Sequence, residues 1–366
     1  MDIQQIITLL GTYPILIVAI ILVGGVIFIN GWTDAPNAIA TCISTKVIKP
    51  RNAIIMAAIF NFIGCLSMFF LSKATAETIS KMFDFGSNYA IALDALCAGM
   101  IGVVIWGVLA WVFGIPSSES HALIAGITGA GLAAMTLGYD AKIIFTYDSG
   151  WALTIYGLVL SCVFGFGVGF GVTRLIEFIC RKMNRNKTRP FFKYAQIASG
   201  AGMAYVHGAQ DGLKFIGVLF LAISLAAKQY NLENPLANFN TNFTSDNSLW
   251  WLAIVVSLIM GLGTSIGGYR IIKKVGMGMV TLESYQGFAT DFTSAIGIFL
   301  STVVGIPVST TQVKSFSILG VGASKGIKHV KWGVAKDMIL TRLFTFPGCG
   351  VIGYIFALIF ITIFRV

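Results

Sequence analysis

Gly31-Trp32-Thr33-Asp34-Ala35-Pro36-Asn37-Ala38 closes the apolar run 14–29. A carboxylate at that depth in a hydrophobic segment is costly, so an intramembrane Asp marks a functional position by default. Gly31 and Pro36 flank it, and together they oppose an uninterrupted helix. A broken helix at membrane depth frees backbone groups to meet ions. The competing reading is a helix end facing water, where an Asp costs little.

Composition sets the class. The 366 residues are 56% hydrophobic and 11% charged, and the mean hydropathy is +0.84. Soluble domains carry roughly 25% charged residues, so the chain is an all-α polytopic membrane protein. At roughly 20 residues per span, the apolar segments allow about eight to twelve passages, some of half length. The net charge of +10 resides in loops between apolar runs, a pattern of membrane orientation rather than nucleic-acid binding. The cysteines at 42, 65, 97, 162, 180 and 349 show no metal spacing and read as small core residues. No Lys or Arg precedes Lys46, so the first apolar run reads as a retained span rather than a signal peptide. The long run 194–227 holds His207, Asp211 and Lys214 and reads as two pieces. The run 338–364 holds Pro347 and Gly348 and reads as kinked or broken.

Basic clusters at 46–51, 181–193, 270–274 and 325–336 assign one face to the cytoplasm. The first run then crosses from outside to inside, and the second half runs opposite to the first. The halves also echo in sequence. Gly31-Trp-Thr-Asp34 is answered by Gly208-Ala-Gln-Asp211, and Gly114-Ile-Pro-Ser-Ser-Glu-Ser-His121 by Gly305-Ile-Pro-Val-Ser-Thr-Thr-Gln312. Two echoes in the same order, with opposite orientation, are the signature of inverted-topology repeats with broken or re-entrant helices at the midplane. The division is residues 1–180, a basic cytoplasmic loop 181–193, and residues 194–366.

Pooled at one interface, the repeats bring carboxylates Asp34 and Asp211 and hydroxyls Ser117, Ser118, Ser120, Ser309, Thr310 and Thr311. Asn37 and Gln210 add amides, and His121, Gln312 and Lys214 add donors. Helices starting just after Pro116 and Pro307 aim free amides and their positive ends at whatever lies between them. Hydroxyls with helix amino ends suit a compact oxyanion. Two Asp residues beside an anion require cations, and Asp and Asn oxygens suit Na⁺ or a proton. Any one membrane hydroxyl usually bonds its own preceding turn; the repeated Pro-anchored placement lifts the set above that. Lys214 follows Asp211 by one turn, so a structural ion pair rivals a substrate contact. Glu119 and Asp291 lie near the same segments, Asp291 without an evident partner, and Asp94 inside the run 89–113 has no assigned role. An intramembrane serine hydrolase using Ser118 or Ser309 lacks a Gly-x-Ser-x-Gly elbow, and its nucleophile would be unique to one half.

At these residues the sequence resembles the inorganic phosphate transporter family, the PiT permeases, which carry a Gly-Ala-Asn-Asp signature twice. Gly31–Ala38 resembles the first copy, His207–Lys214 the second, and Pro307–Gln312 the family's Pro-Val-Ser-Thr-Thr-His. The resemblance implies a plasma-membrane symporter for orthophosphate with Na⁺ or H⁺, with no cofactor and no enzymatic activity. Phosphate would meet Ser117, Ser118, Ser120, His121, Ser309, Thr310, Thr311, Gln312 and Lys214. Asp34, Asn37, Gln210 and Asp211 would handle the coupling cation, with Na⁺ at Asp34, Asn37 and Asp211. Thr33, Gln210 and Gln312 depart from the family motif and alter potential ligands. Related permeases carry sulfate, which keeps a second tetrahedral oxyanion in view. Partners on this reading are phosphate, the cation and the bilayer, with a homodimer left open.

Overall fold

The computed structural model describes residues 3–72, 74–80, 82–84, 88–114, 117–143, 150–229 and 250–363. Helix α1 (Ile3–Thr12) leads into α2 (Pro14–Thr33), which stops at Asp34; α3 (Pro36–Ser44) resumes two residues later. Pro36 has no N–H to return to the preceding turn. Asn37 N and Ala38 N bond the carbonyls of Asp34 and Ala35, three residues back rather than four. The predicted break is therefore present, as a tightened joint centred on Asp34.

Next come α4 (Pro50–Leu71), the short α5 (Ala74–Ser80), α6 (Tyr89–Val112), α7 (Glu119–Thr136) and α8 (Gly150–Cys180). Strand β1 (Phe83–Asp84) pairs antiparallel with β2 (Lys142–Ile143), tying two loops together. The second half comprises α9 (Arg185–Gln229), α10 (Trp250–Ile266), α11 (Tyr269–Gly278), α12 (Ser284–Val304), α13 (Thr310–Ser324) and α14 (Trp332–Ile363). Among the described residues, seven helical segments are long and apolar enough to cross a membrane. Exposed Ile17, Ile21, Ile59, Val163 and Leu343 form part of the outer surface, facing lipid. Helices α7 and α13 are about 27 and about 22 Å long, short of a bilayer core of roughly 30 Å. They are buried on nearly every side instead.

Three expectations need correction. The run 194–227 is one continuous helix, because its polar residues satisfy one another along a single face of α9 and need no break. Arg185, Lys187, Arg189 and Lys193 lie on the first turns of that helix, so the basic connection shrinks to residues 181–184. At 45 residues, about 68 Å, α9 outruns any bilayer, and its basic end projects beyond it. Helix α14 runs through Pro347 without a break, which removes the broken alternative and leaves the kinked one. Neighbouring helices support such a position, and here the Trp106 ring packs on Gly348 so closely that a Cβ would lie 2.3 Å from it. The loop 230–249 and residues Ile115 and Pro116, which entered the repeat alignment, lie outside the described residues.

Helix α9 is the axis of the molecule, buried from Ser199 to Ala227 on most faces. Its Gly208 and Gly212 lie against Asn61 and Cys65 of α4, and Gly64 of α4 lies against Tyr205. Small residues at such spacing let membrane helices approach closely. A Cβ on Gly208 would fall 2.2 Å from the Asn61 carbonyl oxygen, which is backbone and cannot move aside. Gly208→Val is therefore expected to cost at least about 1–3 kcal/mol and to deplete the monodisperse peak in size-exclusion chromatography. Gly167→Val on α8, where no heavy atom lies within 4 Å, is the control; equal profiles would refute the close-packing account.

Three of the basic clusters come together. Lys46, Lys49 and Lys193 line one surface depression. Arg185 Nη2 and Lys325 Nζ both bridge to Glu283, at 2.6 and 3.1 Å.

Candidate functional site

Asp34, at the joint between α2 and α3, is 1% exposed. Its Oδ1 accepts from Thr311 Oγ1 (2.7 Å) and Asn37 Nδ2 (3.4 Å), and its Oδ2 accepts from Glu119 N (3.4 Å). That amide is the first of α7, so the carboxylate occupies the anion-favouring end of a helix. Asp211, on α9, is fully buried. Its Oδ1 takes the Lys214 ammonium at 2.8 Å, and its Oδ2 accepts from Asn30 Nδ2 (3.2 Å) and Thr310 Oγ1 (3.3 Å). Each carboxylate thus meets a hydroxyl carried by the first turn of α13.

The two Pro-Ser stretches meet head to head. Ser118 and Ser309 are the N-caps of α7 and α13, accepting from His121 N (3.4 Å) and Gln312 N (3.2 Å). A serine in extended backbone before a helix is the favoured cap. Their Oγ atoms lie 2.8 Å apart. Lys214 Nζ also donates to Ser120 Oγ (2.7 Å) and to the Val308 carbonyl (2.6 Å). With its oxygen accepting from the ammonium, Ser120 keeps its own O–H free to donate. Lys214 thus makes the ion pair with Asp211 and also reaches the Ser120 hydroxyl.

Several predicted residues turn elsewhere. Gln210 donates to the Ile306 carbonyl (3.1 Å) and accepts from the Thr302 hydroxyl, bracing α9 against α12. Gln312 directs its amide at the Leu158 carbonyl (3.2 Å) and Cys162 Sγ (2.7 Å) of α8. His121 stacks on Phe346 at 5.0 Å, and neither ring nitrogen has a hydrogen-bond partner among the described residues. Ser117 is buried.

Other residues join the site, among them Asn61, Asn30 and Arg342, which the sequence reading did not place there. Asn61 donates to Thr264 Oγ1 (3.4 Å), leaving its Oδ1 to accept from His207 Nδ1 at 2.8 Å. That fixes His207 Nε2 3.3 Å from Asp211 Oδ2. Asp34, His207 and Asp211 offer ligand atoms within 4.8 Å of one another. Asn30 Oδ1 and Asn37 Oδ1 are buried and have no donor among the described residues. Two carboxylates beside two amide oxygens without donors form an oxygen-rich set that fits a hard cation. Arg342, buried on α14, donates to the Thr311 carbonyl (3.1 Å) and Ser315 Oγ (2.6 Å), holding the first turn of α13. Asn30 was legible as a polar residue one turn before Asp34, and Arg342 as a charge inside an apolar run. Glu119 packs on the Thr33 hydroxyl at 3.4 Å, and its Oε2 has no partner among the described residues.

A helical membrane bundle that encloses a polyhydroxyl, two-carboxylate centre beside a broken helix has the kind of site that membrane transport proteins build. Residues 30–353 match the Phosphate transporter family. A probable low-affinity inorganic phosphate transporter of Bacillus subtilis (strain 168) is 38% identical over 328 residues, covering 90% of this chain and 92% of its own length. One from Mycobacterium leprae (strain TN) is 34% identical over 339 residues, covering 93% of this chain and 76% of its own. The chain belongs to the phosphate transporter family. The solved structure of "The sodium-dependent phosphate transporter" superposes with a TM-score of 0.79 at 20% identity, over 96% of this chain and 100% of that one, and establishes the fold. Membership in a family of transporters sets aside the hydrolase reading. The geometry agrees, since Ser118 bonds Ser309 and His207 bonds Asn61, and among the described residues no serine hydroxyl bonds a histidine ring nitrogen.

Proposed function

We propose that this chain carries inorganic phosphate across the plasma membrane by symport with Na⁺ or H⁺, through alternating access of two inverted repeats. The observation that carries the proposal is the meeting of the α7 and α13 amino ends at Ser118 and Ser309, 2.8 Å apart, directly beside Asp34 and Asp211. Ser118, Ser120 and Ser309 supply neutral donors, Thr310 and Thr311 join them when a cation takes the carboxylate oxygens to which they now donate, and two helix ends add their positive poles. That combination suits a tetrahedral oxyanion held mainly by neutral donors, since Asp211 already neutralises the Lys214 ammonium beside Ser120. Ser117, His121 and Gln312 are the outer members of the set, and Lys214 orients Ser120. The coupling cation sits among Asp34, Asn37 and Asp211, joined by Asn30, while Gln210 braces the helix that carries Asp211. The cation offsets charge that the carboxylates and the anion would otherwise set against each other at close range.

Repeat symmetry is supported by exchange across the halves. Asp34 takes Thr311 from the second half; Lys214, paired with Asp211, takes Ser120 from the first. With the basic face inside, the amino terminus lies outside and residues 181–184 face the cytoplasm.

Labelled phosphate uptake into proteoliposomes tests the reading, under an inward Na⁺ gradient, an inward proton gradient, or neither. Uptake driven by one gradient, blocked by arsenate and spared by sulfate, is expected. Accumulation of labelled sulfate without phosphate uptake would keep the fold and overturn the substrate.

A further inference from the structure

A second buried ion pair lies outside this site. Asp291 on α12, which the sequence left without a partner, pairs with Lys314 on α13, and both side chains are fully buried. Lys314 Nζ also lies 3.2 Å from Thr41 Oγ1 and 3.3 Å from the Ala38 carbonyl, both on α3. The Thr41 hydroxyl itself donates to Asp291 Oδ1 at 2.6 Å, and Cys42 Sγ lies 3.5 Å from Oδ2.

One carboxylate oxygen, one hydroxyl oxygen and one main-chain carbonyl are hard ligands, the kind that a hard cation takes. Lys214 Nζ sits in a set of the same composition, made by Asp211, Ser120 and the Val308 carbonyl. In each set the carbonyl flanks a helix start, in the first turn of α3 or just before α13. A surface lysine would need none of this. A buried ammonium needs three acceptors for its three donors, and here they converge as ligands converge on an ion.

We propose that Lys314 is a tethered cation: its ammonium fills a monovalent-cation site built from Asp291 Oδ1, Thr41 Oγ1 and the Ala38 carbonyl. Na⁺ enters that cage only when the lysine is shortened. The positive charge there belongs to the chain, fixes α3 to α12 and α13, and adds no ion to each transport cycle.

Thermal unfolding of the purified full-length protein, in NaCl against choline chloride and without phosphate, tests this. Na⁺ should raise the midpoint of Lys314→Ala by about 3 °C more than that of the wild type, and the added Asp291→Asn change should erase the difference. Equal Na⁺ shifts in Lys314→Ala and wild type would overturn the proposal. If Lys314→Ala folds only when extracted in Na⁺, the proposal stands. If it is lost in both salts while Lys314→Met/Asp291→Leu folds, the pair only fills space and the proposal fails. The readout is Na⁺ binding rather than uptake, so its failure is distinct from failure of the phosphate reading.

Discussion

Asp34→Asn should abolish gradient-driven phosphate uptake while leaving a folded protein, and Asp211→Asn should abolish uptake and also destabilise the fold. The two carboxylates look equivalent in sequence but have different neighbours. Asp34 accepts from a threonine, an asparagine and a backbone amide, and no lysine or arginine pairs with it among the described residues. An asparagine there keeps an acceptor for Thr311 and Asn37, gives up only the long 3.4 Å bond from Glu119 N, and removes the charge that a cation needs. Removing one partner of a buried charge pair costs about 2–5 kcal/mol, upward of about thirtyfold in affinity. Asp211 instead neutralises Lys214 at 2.8 Å with both side chains 1% exposed. Its loss strands a buried ammonium, which costs about 3–5 kcal/mol of stability. The double change Asp211→Asn/Lys214→Met removes both charges and should recover the unfolding midpoint without recovering uptake. Midpoints and uptake measured on the three variants decide the matter. A stable Asp211→Asn, or a double variant no better than the single one, would mean that the ion pair does not hold α9 in place.

How far the sequence foretold these roles depends on where each residue finds its partners. The joint at Asp34 was readable because a proline two residues on must lose its hydrogen bond whatever surrounds it. The continuity of α9 was not. His207, Asp211 and Lys214 look like a break in an apolar run, yet at spacings of four and three they lie on one face and pair with each other. The two Pro-Ser stretches announced themselves by repetition, and the structure caps α7 and α13 with Ser118 and Ser309. The orientations of Gln210 and Gln312 were not legible, because position in a motif does not say which way a side chain turns, and both turn toward neighbouring helices. Asp291 seemed alone because its partner lies on another helix, 23 residues on. Packing of α3, α12 and α13 creates that contact, and no local pattern encodes it.

The contact between Ser118 and Ser309 leads to the second large effect: phosphate should protect this pair from being cross-linked. Their oxygens are 2.8 Å apart, and one hydroxyl is taken up in donating to the other. An anion held between them, with each donor about 2.7 Å from it on opposite sides, must part them. The conformation with the two caps in contact is therefore a closed one, and binding must separate the amino ends of α7 and α13. Ser118→Cys/Ser309→Cys, made with Cys162→Ser because Cys162 lies beside Gln312, places two sulfurs where a disulfide closes with little backbone movement. Oxidation should link them rapidly in the absence of substrate, detected as a joined peptide pair by mass spectrometry. Saturating phosphate should slow linkage at least about tenfold, since a ligand at about ten times its Kd leaves only about a tenth of the protein unbound. Sulfate should leave the rate unchanged. The measurement needs no functional transport, so it isolates binding from coupling. A linkage rate indifferent to phosphate, in a double-cysteine protein whose unfolding midpoint phosphate still raises, would place the substrate elsewhere than between the two helix ends, and with it the hydroxyls assigned to hold it.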